Sequence, residues 1–228
     1  MDRNVQTDRL ISSLGQGLSA VKPLRPPQWR ALLWLTPLAL LVVAALWRYA
    51  NLTAMAHRLA EPRLALECLG TLLTGVIAIV SAFYLSLPDR SELWRFAPLP
   101  PLALWLACSG VGCLENGLGL GPAGNRLGES SSCFKFIVMV SVPIAVTLFL
   151  VLRRARPLLP LRVALNGALG VAALAAFVLM FFHPFEVTLI DLAMHALAVV
   201  AVVGIAGLMR RVALSPAPAH QRGGRAAA

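Results

Sequence analysis

Six runs of apolar residues alternate with short polar connections along the chain: Ala31–Trp47, Leu64–Leu87, Leu99–Leu114, Phe134–Leu152, Leu161–Phe182 and Val187–Met209. A helix that crosses the hydrocarbon of a bilayer needs about 20 mostly apolar residues, and each run meets or approaches that length. None holds a Lys or Arg in its interior. The third is the shortest, contains glycine and is opened by Pro98, Pro100 and Pro101, which a helix start tolerates because the missing N–H would have had no partner there. The pattern predicts an all-α fold, a polytopic transmembrane helix bundle of about six spans. It divides the chain into a tail over 1–30, a six-helix transmembrane domain over 31–209 and a disordered tail over 210–228, rich in Pro, Gly, Ala and Arg.

Composition supports this division. The chain of 228 residues is 58% hydrophobic and 13% charged, with a mean hydropathy of +0.76, against about 45–50% and about 25% in soluble domains. A water-soluble globule of this size keeps too much surface exposed to hide so many apolar side chains. The stretch before the first run is too long for the n-region of a secretory signal, and the run itself is too long for an h-region.

The net charge of +10 becomes informative once it is divided by segment. Fifteen of the Lys and Arg residues fall in the N-terminal tail, the second and fourth connections and the C-terminal tail; five fall in the first and third connections, and none in the fifth. Lys and Arg accumulate in cytoplasmic loops, so both termini are expected inside the cell. The basic balance then reflects anionic lipid head groups rather than direct contact with nucleic acid, for which a basic patch interleaved with exposed aromatics is missing.

Within the N-terminal tail, Leu10, Ile11, Leu14, Leu18 and Val21 recur at helical spacing, and Thr7 and Asp8 offer N-cap chemistry. Gly15 and Gly17 weaken this helix, and Pro23, Pro26 and Pro27 end it before Trp29 and Trp34, which suit an interfacial belt. Such a segment either lies on the lipid surface or inserts its apolar stripe into a partner's groove.

Topology gathers the thiols and two imidazoles in the outer half of the bundle. Cys68 lies a turn into the second span, Cys108 and Cys113 in the outer half of the third, and Cys133 at the start of the fourth; His183 ends the fifth and His195 lies two turns into the sixth. Thiols of this kind are common as inert packing groups, and the cysteine spacings match no zinc motif, although Cys133, His183 and His195 together make a conceivable mixed ligand set. Glu67, Glu115, Asn116, Asn166, Glu186 and Asp191 fall at or near membrane depth, where ionisable groups are costly; the acidic ones lie near outer helix ends, within reach of head-group water. Asp191 and His195 share a helix face. Paired small residues, Gly70 with Gly75, Gly167 with Gly170 and Gly204 with Gly207, favour close helix packing. No metalloprotease, phosphate-loop or nucleophile-elbow motif is present, so no enzyme and no cofactor is expected.

The run Thr7-Asp8-Arg9-Leu10-Ile11, then Leu24-Arg25-Pro26-Pro27 before the first span, resembles the start of the NrsF-like membrane anti-sigma factors. So do Ser132-Cys133-Phe134 followed by Pro143, the Leu152-Arg153-Arg154-Ala155-Arg156-Pro157 connection, and His183 and His195. The resemblance implies a multi-pass protein of the bacterial inner membrane that holds an extracytoplasmic-function sigma factor inactive and releases it under stress. It implies contact with that partner through Leu10, Ile11, Leu14 and Leu18, and redox or metal sensing at the outer face through Cys133, His183 and His195. Where the family pattern has a second cysteine after the matched histidine, this chain has Pro184. A small transporter or channel component, with Asn166, Asp191 and His195 along a path, is the alternative from another class.

Overall fold

The computed structural model describes residues 2–16, 24–115, 127–182 and 189–214. Among them are eight α-helices and no strand: α1 (Asp2–Gln16), α2 (Pro27–Tyr49), α3 (Leu52–Leu59), α4 (Pro62–Leu85), α5 (Leu99–Glu115), α6 (Leu127–Leu152), α7 (Pro160–Leu179) and α8 (Leu189–Leu214). The expected C-terminal tail beyond Leu214 lies outside the described residues. Proline occupies the first turn of α2, α4 and α7, where its fixed φ suits the helix and its missing N–H costs nothing. Short 3-10 turns over Glu92–Phe96 and Arg153–Ala155 lead into α5 and out of α6.

By length and composition α2, α4, α6, α7 and α8 can each cross a membrane. The third apolar run forms α5, a single helix of 17 residues, which at 1.5 Å per residue reaches about 25 Å, short of an untilted crossing. It packs antiparallel on α4: Gly70 of α4 faces the backbone of Trp105, and Glu67 near the start of α4 meets Ser109 near the end of α5.

The centre of the bundle is α4 against α7. Their apolar windows are 61% buried, against 17–22% for α2, α6 and α8. The contact is made by small residues. Ala78, Ile79, Ala82 and Phe83 of α4 and Val163, Ala164, Ala168, Val171 and Ala172 of α7 are all at most 1% exposed. A Cβ placed on Gly170 would come within 2.9 Å of the Gly75 carbonyl oxygen and 2.8 Å of the Ile79 side chain, so the two backbones meet at the distance that paired glycines allow. Gly167 likewise admits Phe149 and Leu148 of α6. Gly204 behaves differently: its Cβ position faces open space, so it is not a packing residue as its spacing suggested.

The outer helices turn large apolar side chains away from the core. Leu40, Leu41, Trp47, Met139, Leu208 and Val212 are 66–81% exposed. Water penalises such a surface and hydrocarbon does not. Ala31 at the start of α2, Leu85 at the end of α4, Leu152 at the end of α6, Val163 at the start of α7 and Leu214 at the end of α8 share one buried cluster. The first residues of α2 and the last of α8 therefore lie at the same end of the bundle.

The first helix begins earlier than its residues suggested. It starts at Asp2, so Thr7 and Asp8 lie inside it and do not cap it. A short polar side chain caps a helix only where the upstream chain leaves helical geometry, and here that chain is already helical. Trp29 is 56% exposed, in keeping with an interfacial position, whereas Trp34 packs half-buried against the core cluster.

Candidate functional site

Three places in the molecule carry chemistry beyond packing: α1, the end of the bundle at which α2 begins, and the opposite end. On α1, Leu10, Ile11 and Leu14 are 58%, 62% and 63% exposed. Their spacing of three and four residues puts them on one face. Leu18, expected to continue that stripe, lies outside the described residues. Isolated helices of this length are marginal in water, so a stripe of three large apolar residues has a reason to be covered.

The near end of the bundle is a polar knot around Arg30. This residue sits one turn into α2 and is 9% exposed. Its Nη1 donates to Ser86 Oγ at 3.5 Å and its Nη2 to the Val151 carbonyl at 3.4 Å, while the guanidinium lies 5.4 Å from the Phe83 ring centroid. Ser86 in turn donates to the Phe83 carbonyl at 2.7 Å. One side chain thus ties the start of α2 to the ends of α4 and α6. Beside it the rings of Tyr84 and Trp94 stack with centroids 4.1 Å apart, and Arg162 at the start of α7 pairs with Glu92. No pattern along the chain points to this knot. Arg30 reads as the last basic residue of a tail, and nothing in its neighbours tells that it turns inward.

At the far end α4 and α8 begin and α5 and α7 finish. Cys133 is 2% exposed and packs in a cluster with Trp105, Ile137, Ala176, Leu179 and Ala198. Cys68, also buried, and Cys108, half-buried, are thiols as well; a thiol in apolar surroundings is poorly nucleophilic. His195 is half-buried and lines a cavity of about 310 Å³ whose walls also include Trp105, Ala176 and Leu179. Trp105, Ala176 and Leu179 thus belong both to the cluster that holds Cys133 and to the cavity wall that includes His195. His183 lies outside the described residues, as does the side chain of Asp191, so their share in this neighbourhood is not described. Among the described residues no three His, Cys, Asp or Glu side chains gather as a metal-ligand set.

Glu67 corrects an expectation. A carboxylate near an outer helix end was expected to reach head-group water, but Glu67 is 4% exposed. Ser109 Oγ donates to its Oε1 at 2.6 Å, and Arg63 Nη1 lies 3.7 Å from its Oε2 while also pairing with Glu61 at 3.2 Å. A buried charge needs such compensation. The pairing joins α4 to α5 across 42 residues of sequence, which periodicity within either helix cannot show. Asn166, also at membrane depth, is 7% exposed, and its Nδ2 donates to the Arg162 carbonyl at 3.1 Å.

A family model described as NrsF, negative regulator of sigma F, matches residues 14–215. Searches of the curated proteins and of the solved structures found no match.

Proposed function

The chain belongs to the NrsF family of negative regulators of sigma F, and on that premise we propose that it is a six-span anti-sigma factor of the bacterial inner membrane that sequesters an extracytoplasmic-function sigma factor through α1. The observation that carries this reading is the exposed face of Leu10, Ile11 and Leu14 on a helix joined by a short proline-containing segment to a bundle long and apolar enough to span a membrane. An amphipathic helix that lays such a stripe into a groove is a recurrent mode of protein recognition. The start of α2 and the end of α8 share one end of the bundle, and the excess of Lys and Arg falls in the segments at that end, which supports a cytoplasmic α1, on the side where a sigma factor is.

Release requires two states. Moving the partner from mostly bound to mostly free takes a differential of about 5.5 kcal/mol between them. A new covalent or metal bond near Cys133, His183 and His195 is large enough to supply it, and Arg30 offers the mechanical link. Helices α4 and α6 both end at its guanidinium, so a shift in their packing changes how α2, and the tail before it, is held. Support against the transporter reading comes from continuity: among the described residues no membrane-length helix is broken in its middle, as the half-helices of many transporters are.

A reporter of sigma-dependent transcription tests both halves. Deleting residues 2–16 is expected to give constitutive transcription while the chain still inserts in the membrane; repression that persists without them contradicts the docking role. In the full chain, Cys133→Ser is expected to blunt induction by a thiol-reactive metal ion, and an unaltered response removes Cys133 from the mechanism.

A further inference from the structure

The arginines at the end of the bundle where α2 begins are not matched by carboxylates. Asp89 and Glu92, in the connection between α4 and α5, pair with Arg90 and Arg162. Arg153 and Arg154 form the 3-10 turn that closes α6, and Arg156 follows it. Among the described residues neither these three nor Arg30 makes an ion pair with a carboxylate. The other charges at this end, Arg25 before α2 and Arg210 and Arg211 near the end of α8, are basic as well.

Arg30 is the buried member of the group, and a buried charge ordinarily has an ionic partner. Its two hydrogen bonds, at 3.5 and 3.4 Å, go to a hydroxyl and a carbonyl and exceed the usual length of about 2.7–3.2 Å. Val151, which accepts one of them, precedes Arg154 by three residues, and the like charge of Arg154 is near enough to be felt at Arg30. The dipole of α6 favours cations at its end, which accounts for Arg153 and Arg154. It does not account for Arg30, one turn into α2, where the dipole of that helix disfavours a cation. What this junction lacks is an anion.

The place of the junction selects which anion. Exposed Trp29 next to Arg30 and the stacked rings of Tyr84 and Trp94 are the aromatic groups of a membrane interface. Leu33 stands a turn beyond Arg30 on α2 and Leu150 a turn before Arg154 on α6. Both are exposed, which offers acyl chains an apolar surface below the charges. Basic sites between helices on the cytoplasmic side recurrently take anionic head groups, and a planar guanidinium suits a phosphate. We infer that the junction of α2 with the end of α6 binds the phosphate of an anionic phospholipid through Arg30 and Arg154, with Arg153 and Arg156 adding charge. A phosphate there offsets the buried charge of Arg30 and holds the start of α2 against α4 and α6. The inference rests on the reading that the chain spans a membrane, and not on the partner that α1 engages.

Reconstitution of the full chain into nanodiscs comes first: a chain that stays out of them contradicts the membrane reading, and this inference with it. The chain in detergent micelles would then be titrated with phosphatidylglycerol and phosphatidylcholine of the same acyl chains, bound lipid being counted by native mass spectrometry. Phosphatidylglycerol is expected to bind at least about 10-fold tighter, and millimolar inorganic phosphate is expected not to displace it. Arg154→Gln with Arg156→Gln, both exposed positions, is expected to cut that preference by about 5-fold or more. Arg210→Gln with Arg211→Gln removes the same charge from the same end and is expected to leave the preference within about twofold. Arg30→Gln is expected to lose the preference too; should it fail to fold, the exposed pair carries the test. Equal binding of the two lipids, displacement by inorganic phosphate, or equal loss from the two pairs of substitutions would each overturn the inference.

Discussion

Replacing Leu10 and Leu14 together by Asp is expected to free the sigma factor from the full-length chain, with loss of affinity of at least about 100-fold in co-purification from membranes. The magnitude follows from what the two side chains would bury. Each is more than half exposed in the unbound chain, and full burial of a leucine is worth about 1.5–3 kcal/mol. Asp forfeits that contribution and adds a carboxylate to be desolvated. Two such losses come to about 3–6 kcal/mol, above the roughly 2.7 kcal/mol that corresponds to a 100-fold change. The helix is expected to survive, because both side chains are mostly exposed. Val5, exposed on the opposite side of α1, supplies the control: Val5→Asp is expected to leave retention intact. Equal loss from both substitutions would mean that charge, not the apolar face, governs binding.

The second large effect is structural. Gly170→Leu is expected to destabilise the bundle by about 3 kcal/mol or more, measured as the shift in reversible unfolding in mixed micelles. The new Cβ would sit 2.9 Å from the Gly75 carbonyl oxygen and 2.8 Å from Ile79. Ile79 is itself fully buried and cannot swing aside, and a backbone oxygen does not yield at all without moving α4. Gly204→Ala is the matched contrast. With nothing within 4 Å of its Cβ position, it is expected to be neutral or slightly stabilising through helix propensity. If the two substitutions cost the same, the close approach of α4 to α7 is not what holds the bundle.

Much of the fold was legible in the pattern of apolar runs, since hydrocarbon-length helices are written in composition over twenty residues and need no knowledge of neighbours. All six runs became helices, though α5 proved too short to stand as a membrane-length helix on its own. The small-residue pairs on α4 and α7 were legible for the same reason. Gly204 shows the boundary of that method: spacing identifies a groove on a helix surface and says nothing of whether another helix lies in it. The start of α1 was misjudged because Thr7 and Asp8 have cap chemistry wherever they stand, and only upstream backbone decides whether it is used. Arg30 and Glu67 were illegible for a further reason. Each becomes what it is through partners more than 40 residues away, and a charged residue near a helix end looks the same in sequence whether its side chain turns to water or inward.

If α1 grips a sigma factor with its apolar face, a crosslinker on that face captures the partner. A photoreactive amino acid placed at Leu14 of the full chain in living cells tests it most directly. On irradiation, a covalent adduct containing a sigma factor is expected, lost on induction and absent when the label stands at Val5. Adducts to lipid alone, or to a sigma factor equally from Val5, in cells where repression is intact, would contradict it.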